Sequence, residues 1–309
     1  MPLDDDDDRS RARSREFASG RAVDLLFLLP IGLVLTGVLL YPLGYGINLS
    51  LHYTQGFEPK AFVGLEHYVH ALLGDAVFHR SLLNTLVFTA SAVVLQTGLG
   101  LLLALLVARV GRGRTLFRLV FFVPFVLAAV AVGTSWKFLY APFYGVAATV
   151  GGALGFNVDT IAPLADPDTA LWAILAAFVW RFAGFSMVVY LAGIQAISRD
   201  YYEFGVLEGA SRFQQFRHIT WPLLWPQTFT LVLLTTLGTL RIFDMIWVMT
   251  AGGPDHSTET VATYVYTTAF RSVDVGYAQA MAMILLVVIL GLFVLEYRVL
   301  NRRAEAVSS

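Results

Sequence analysis

The feature that most constrains this chain is a series of long stretches that are almost free of charged residues. The run over residues 82–108, for example, has no charged residue and no polar face, so it cannot be a surface helix of a soluble protein. A helix needs about 20 apolar residues to cross a bilayer core about 30 Å thick. We predict six such spans, at about residues 23–47, 82–108, 117–140, 171–194, 222–250 and 275–298. The sequence therefore predicts an all-α, polytopic membrane protein.

The composition excludes several other classes of protein. Hydrophobic residues make up 57% of the 309 residues and charged residues only 14%, whereas soluble domains carry about 25% charged residues. A net charge of −1 gives no basic field to attract nucleic acid. The chain has no cysteine, which excludes a disulfide scaffold.

The distribution of Lys and Arg predicts the orientation of the chain. Fifteen of the 21 basic residues lie in the two termini and in the loops after spans two and four, and four lie in the other three loops. Because cytoplasmic loops carry the excess of Lys and Arg, both termini are expected in the cytoplasm. We predict a disordered cytoplasmic tail over residues 1–21 and a transmembrane domain over residues 22–309.

The loop over residues 198–221 has an amphipathic pattern of its own. Ser198 is suited to cap a helix N-terminus, and Asp200 and Glu203 favour its first turn. Apolar residues follow at helical spacing, and Gly209 is suited to end the helix. Such a helix either rests on lipid headgroups or docks a cytoplasmic partner, and the pattern alone leaves both interpretations open.

The same loop resembles the EAA motif of binding-protein-dependent ABC importer permeases. That motif has an acidic residue, a glycine six residues later, and then an Ile-x-Leu-Pro segment. The matching residues are Glu203, Gly209, Ala210, Phe216, Ile219 and Pro222. Phe204 and Gly205 stand in place of the two alanines of the motif, and Trp221 stands in place of its leucine.

A second resemblance lies in and after span five. Residues 241–254, followed by Ser257, Thr258 and Glu259, are similar to the F-D-x-I-x-x-L-T-x-G-G-P and S-T-E signature of the carbohydrate-importing branch of that family. Matches over residues 62–68, 84–86 and 269–278 extend the resemblance to nearly the whole chain from about residue 22.

This resemblance implies a type I ABC importer permease fold and a role in sugar uptake, in a prokaryotic inner or plasma membrane. The implied partners are a second homologous permease, two ATPase subunits, an extracytoplasmic solute-binding protein, a sugar or oligosaccharide and membrane lipid. In the family the EAA loop is the coupling helix that seats in the ATPase. Glu203 is then expected to meet a basic residue there, and Gly209 to allow close backbone approach. ATP and Mg²⁺ are bound by the ATPase, so this chain is expected to have no cofactor and no enzymatic activity.

Charged residues inside the spans indicate a candidate solute pathway, because such residues are costly in hydrocarbon and usually face a cavity or a partner. Arg241 and Asp244 are three residues apart, on one face of the predicted helix, and they either neutralise each other or line the pathway. Polar groups together with aromatic faces are the means by which sugars are commonly held. The residues assigned to the pathway are Trp180, Arg181, Arg241, Phe243, Asp244 and Trp247.

No other chemistry is indicated. Lys60 and Lys137 are the only lysines, and neither follows the glycine pattern of a phosphate-binding loop. His67 and His70 lack the spacing of a metal site, and we expect both to be surface residues of a short external helix. No catalytic residue and no metal site are predicted. The alternative function is a self-contained secondary carrier or channel for a polar solute, which would leave the EAA-like loop without a purpose.

Overall fold

The computed structural model describes residues 29–111, 113–142, 145–153 and 162–308. The tail predicted over residues 1–21 lies outside this part of the chain. The strands are β1 (His52–Gln55) and β2 (Glu58–Phe62). The helices up to the loop at residue 198 are α1 (Leu29–Ser50), α2 (Glu66–Leu73), α3 (Ala76–Arg109), α4 (Arg114–Val126), α5 (Ala129–Leu139), α6 (Val146–Ala153) and α7 (Ala170–Ala196). The later helices are α8 (Arg199–Leu207), α9 (Arg212–Gln215, continued by a π-helical turn at Phe216–Thr220 and by Trp221–Leu223), α10 (Trp225–Thr239), α11 (Asp244–Met249), α12 (Val261–Phe270) and α13 (Val275–Ser308).

Four of these helices are long and apolar enough to cross a membrane, namely α1, α3, α7 and α13. Helices α4 and α5 make a fifth span if they are counted together, but they are bent by 98° at the break between them. The third predicted span, residues 117–140, therefore contains a sharp bend. The bend arises because Leu127 and Ala128 leave the helical region of backbone space, with ψ angles of 144° and 141°.

The fifth predicted span, residues 222–250, is divided into separate helices. Helix α10 has 15 residues and α11 has 6, which correspond to about 22 and 9 Å of helix. Residues 240–243 between them are not helical. Thr260 Oγ1 donates a hydrogen bond to the carbonyl oxygen of Ile242 (3.1 Å), so a side chain satisfies the interrupted backbone. Length and composition give four or five spans in the described residues, against the six predicted.

The all-α prediction missed a short antiparallel hairpin between α1 and α2. Strands β1 and β2 pair with Thr54 opposite Pro59, and Gly56 in the turn has a φ of +60°. Thr54 Oγ1 accepts a hydrogen bond from the amide of Gly276 (3.0 Å). This bond fastens the hairpin to the start of α13.

Helix α2 is the short helix that the sequence predicts, but only one of its two histidines is a surface residue. His70 is exposed, whereas His67 is 5% exposed and has its Nε2 atom 3.2 Å from the carbonyl oxygen of His52. His67 is buried because its ring packs between Tyr53 of the hairpin and Tyr277 of α13.

Helices α3 and α4 both pack against α7, which is the most buried of the long helices. Phe88 and Phe178 meet edge to face with ring centroids 5.5 Å apart. Gln96 donates a hydrogen bond to Ser186 Oγ (2.9 Å), and both side chains are buried. At Gly184 the backbone of Phe121 approaches α7 so closely that any side chain would overlap it.

One carboxylate joins the N-terminal end of α3 to two later helices. Asp75 Oδ1 accepts hydrogen bonds from the amides of Val77 and Phe78 (both 2.9 Å). Its Oδ2 accepts from the hydroxyls of Tyr264 (2.7 Å) and Tyr277 (2.6 Å). Burial alone would raise the pKa of Asp75, but these four hydrogen bonds outweigh it and lower the pKa. Burial and the neighbouring carboxylate raise the pKa of Tyr264. Helices α3, α12 and α13 are thereby held together.

Candidate coupling loop and solute pathway

The loop over residues 198–221, which we name the coupling loop, begins with the helix that the sequence predicts. Ser198 Oγ accepts a hydrogen bond from the amide of Asp200 (3.3 Å) and caps α8. After α8 the chain turns at Gly209, whose φ is +78°. The amide of Ala210 donates to the carbonyl oxygen of Gly205 (2.8 Å), which satisfies an acceptor that the end of the helix would leave free.

The second half of the coupling loop folds back on α8. Ser211 and Gln214 form a capping box at the start of α9, with hydrogen bonds of 2.7 and 3.3 Å. The hydroxyls of Tyr202 and Thr220 are 3.0 Å apart, and Ile219 packs against Gly205. The coupling loop is therefore a compact helical hairpin.

The outer side of this hairpin carries several apolar side chains exposed to solvent. Leu207 is 82% exposed, and the others in this group are Tyr201, Phe204 and Val206. Clustered exposed apolar side chains of this size are typical of a protein interaction surface. Phe204, which replaces an alanine of the EAA motif, contributes to this surface.

The six residues assigned to the EAA motif do not form one cluster. Glu203 and Gly209 are exposed, and Glu203 makes no ion pair with any residue that the structure describes. Ala210, Phe216, Ile219 and Pro222 are partly buried on the inner side. The first two are thus available to a partner, whereas the other four shape the hairpin and its connection to α10.

The candidate pathway residues of span five lie at the break between α10 and α11. Arg241 Nε donates a hydrogen bond to the carbonyl oxygen of Leu237 (3.1 Å). Asp244 is the first residue of α11, so the premise that it shares a helical face with Arg241 is wrong. In the described part of the chain these two residues form no ion pair.

Asp244 instead acts on Arg181 of α7, whose guanidinium lies within range of its negative charge. Arg181 Nη2 donates a hydrogen bond to the carbonyl oxygen of Leu127 at the bend between α4 and α5 (2.9 Å). Arg181 therefore joins α7 to the bend by a hydrogen bond, and it makes no ion pair with Asp244 in the described residues. Trp180 lies apart from this group and meets Trp136 of α5 edge to face, with centroids 5.7 Å apart.

An aromatic cluster extends from Phe243 and Trp247, which stack with centroids 5.5 Å apart and planes 14° apart. Tyr266 of α12 contacts Trp247 of α11, with ring centroids 4.8 Å apart, and Phe270 of its own helix, with ring centroids 5.1 Å apart. The guanidinium of Arg271 lies 4.8 Å from the ring centroid of Trp247. The sequence reasoning did not assign Tyr266, Phe270 or Arg271 to the site. The spacing of four residues within each aromatic pair is the signal that could have indicated them.

A cavity of about 610 Å³ lies at the C-terminal end of α11, between α5, α11 and the segment that follows α11. Its walls are mostly apolar and carry a few polar groups, among them Lys137, Tyr140 and Thr250, which is the composition of many ligand sites. Lys137 Nζ is 3.4 Å from the carbonyl oxygen of Val248. Lys137 was not assigned to the pathway from the sequence.

The later part of the second family signature, residues 252–259, forms a compact turn. Glu259 is 4% exposed, and its carboxylate accepts from His256 Nδ1 (3.1 Å). Asn84 of α3 donates to the carbonyl oxygen of Glu259 (2.9 Å). Gly252 has a φ of +90°, and a side chain there would overlap the Glu259 carboxylate. These residues therefore hold the segment between α11 and α12 against α3.

Comparisons with known proteins agree on one class. A sequence profile described as "Binding-protein-dependent transport system inner membrane component" matches residues 96–305. A probable ABC transporter permease protein of Pyrococcus horikoshii is 35% identical over 283 residues, which are 91% of this chain and 96% of the relative. The trehalose/maltose transport system permease protein of Thermococcus litoralis is 32% identical, with 89% and 92% covered. The sn-glycerol-3-phosphate transport system permease protein of Agrobacterium fabrum is 31% identical, with 79% and 82% covered.

The fold has a counterpart among solved structures. The crystal structure of a bacterial ABC transporter involved in the import of the acidic polysaccharide alginate matches with a TM-score of 0.81 and 23% identity. The match covers 94% of this chain and 99% of that chain.

Proposed function

This chain belongs to the family of inner membrane components of binding-protein-dependent transport systems, and on that premise we propose that it is a permease subunit of an ATP-driven sugar importer. Relatives named for trehalose/maltose, starch degradation products and sn-glycerol-3-phosphate support a carbohydrate or a related polar solute. A second homologous permease, two ATPase subunits and an extracytoplasmic binding protein complete the proposed assembly. ATP and Mg²⁺ belong to the ATPase subunits, and this chain conducts the solute without catalysing a reaction.

In this proposal residues 22–309 form one permease domain, and its coupling loop seats in the ATPase. The observation that carries this assignment is the exposed Glu203 carboxylate beside exposed apolar side chains such as Phe204 and Leu207. A basic residue of the ATPase would meet the carboxylate, and apolar contact would cover the rest of the surface. Because the hairpin is compact and continues towards α10, rigid-body movement of the ATPase can reach the membrane helices.

The decisive experiment is reversal of the charge at Glu203. We expect Glu203→Arg to lower the affinity for the ATPase subunits more than tenfold, because loss of a paired interfacial charge costs about 2–5 kcal/mol. The measurement is co-purification of the ATPase together with ATP-dependent uptake. Insertion of the chain into the membrane should be unchanged.

Glu208→Arg is the matched control, because Glu208 is also an exposed glutamate of the coupling loop but is not part of the motif. The same charge change there should leave the ATPase bound. Normal uptake and normal co-purification of the Glu203→Arg protein would contradict the assignment.

We propose that the solute passes the break between α10 and α11. Non-helical backbone at membrane depth is tolerated where it is enclosed by protein or lines a cavity, and transporters commonly place solute sites at discontinuous helices. Arg181, Asp244 and Lys137 supply charged hydrogen-bonding groups there, and Phe243 and Trp247 supply aromatic faces. Arg241, which lies in the break, remains assigned to the pathway, and Trp180 remains assigned to it from the sequence although it contacts Trp136 instead.

A further inference from the structure

A second cavity, of about 780 Å³, lies between the inner side of the coupling loop and the ends of two long helices. One part of its wall is apolar and is formed by Leu105 and Ala108 of α3 and by Ile194 of α7. Phe213 and Phe216 of the coupling loop form the opposite apolar wall. Of the residues assigned to the EAA motif, Phe216 lines this cavity but Glu203 and Gly209 do not, so docking of an ATPase at Glu203 does not account for it.

The charge in this cavity is unbalanced. Arg109 from the last turn of α3 and Arg212 from the start of α9 both line it, and both are exposed. None of the lining residues is acidic, and neither arginine forms an ion pair with an acidic residue in the described ranges. Two guanidinium groups that face one cavity repel each other, and an anion between them would relieve that repulsion.

The uncharged polar side chains of the cavity already have hydrogen-bond partners. The hydroxyl of Tyr202 bonds with that of Thr220, and Gln215 Nε2 donates to the carbonyl oxygen of Ala210 (3.2 Å). Within the residues that the structure describes, the two guanidinium groups are therefore the donors of this cavity that have no partner. Guanidinium is well suited to phosphate, which it binds through two parallel hydrogen bonds.

The location of the cavity identifies the source of the phosphate. Arg109 ends a membrane-spanning helix, so the cavity lies at the level where lipid headgroups meet the apolar core. Basic pockets between transmembrane helices on the cytoplasmic side bind anionic lipid headgroups. We propose that this cavity binds an anionic phospholipid, with its phosphate between Arg109 and Arg212 and its acyl chain along the apolar walls.

This site would fasten the coupling loop to the membrane helices, an inference that rests on the proposed cytoplasmic, ATPase-coupling role of the loop. Arg109 belongs to the helical body and Arg212 to the coupling loop, so one headgroup bridges the two. An anionic lipid should then increase the ATPase stimulation that loaded binding protein produces.

The test uses the complete transporter in nanodiscs of phosphatidylcholine, with or without phosphatidylglycerol. Bound phosphatidylglycerol is titrated by native mass spectrometry for the wild type, Arg109→Gln, Arg212→Gln and the double variant. Each substitution should weaken binding about fivefold, since each cation near the headgroup contributes about that factor. Arg298→Gln is the matched control. Arg298 is an exposed arginine in the C-terminal half of α13 and does not line the cavity, so this variant should bind phosphatidylglycerol normally.

Three results would overturn the proposal. The first is phosphatidylglycerol binding of the double variant equal to that of the wild type. The second is equal binding of inorganic phosphate alone, which would indicate a site for a free anion. The third is release of the ATPase by Arg212→Gln without any change in lipid binding, which would indicate a protein contact.

Folding defects and failure of the coupling role are separable from failure of the lipid site. The double variant with lysine at both positions keeps the charges, so it should retain most of the lipid binding if the substitutions act through charge. If the glutamine variants lose lipid binding, and ATPase docking still requires Glu203, both proposals are supported. If lipid binding depends on the two arginines, but ATPase docking does not require Glu203, only the lipid site is supported.

Discussion

At Gly209 the backbone conformation alone restricts which residue can occupy the position. Its φ of +78° belongs to the left-handed region, and a side chain there would meet no atom within 4 Å. Crowding within the chain therefore does not exclude other residues. The left-handed backbone does, because it costs a residue with a Cβ about 1–2 kcal/mol.

We expect Gly209→Ala to lower the free energy of unfolding by about 1–2 kcal/mol and to reduce uptake, because the turn after α8 loses its preferred geometry. Thermal unfolding in detergent and an uptake assay measure the two effects. Gly98→Ala is the matched control, since Gly98 is helical and also has open space around it. That variant should be neutral or more stable by up to about 1 kcal/mol. Equal effects of the two substitutions would show that backbone conformation is not the cause.

At the scale of elements, Arg181 of α7 bonds to the bend between α4 and α5 and lies within electrostatic range of Asp244 on α11. Its hydrogen bond to Leu127 reaches the bend, and the charge of Asp244 reaches it from α11. We expect Arg181→Gln and Asp244→Asn to be non-additive in thermal stability and in uptake, by about 0.5–3 kcal/mol in a double-mutant cycle. The same cycle with Arg241→Gln should be additive, because Arg241 bonds to Leu237 instead. Coupling of Arg241 rather than Arg181 to Asp244 would refute this arrangement.

The carboxylate of Asp75 makes the junction of α3, α12 and α13 sensitive to acid. Its pKa is lowered from 3.8, so its contribution to stability is present above that pH and is lost as the pH falls through the lowered value. We expect Asp75→Asn to be less stable than the wild type at neutral pH, because hydrogen bonds to a charged group are worth about 1.5–3 kcal/mol each. The difference in thermal stability should shrink below about pH 4. A difference that is constant with pH would show that ionisation of Asp75 plays no part.

Sequence reasoning predicted the elements whose cause is local. Long apolar runs gave α3, α7 and α13, and Ser198 with Gly209 gave both ends of α8. The break over residues 240–243 could not be predicted, because no proline or glycine marks it and its Ile242 carbonyl is satisfied by a side chain 18 residues later. The partners of Asp75 are more distant still, at 189 and 202 residues along the chain.

For the whole molecule, the placement of basic residues still predicts that the termini and the coupling loop are cytoplasmic. The chain has no cysteine, so single cysteines can be introduced without other changes. We expect a membrane-impermeant maleimide added to intact cells to label Ser272→Cys, in the exposed segment before α13, and not Glu208→Cys in the coupling loop. Both should react after the membrane is opened. Labelling of Glu208→Cys but not of Ser272→Cys in intact cells would show that the orientation is opposite to the proposed one.

The close approach at Gly184 has a consequence for how the molecule can move. The backbones of α4 and α7 are in direct contact there, and no water molecule or acyl chain fits between them. Sliding of one helix past the other would force atoms to overlap, so this crossing behaves as a fixed pivot. We expect any rearrangement that opens a route for solute to occur elsewhere, and the non-helical residues 240–243 between α10 and α11 are one described segment that the helical hydrogen-bond pattern does not hold.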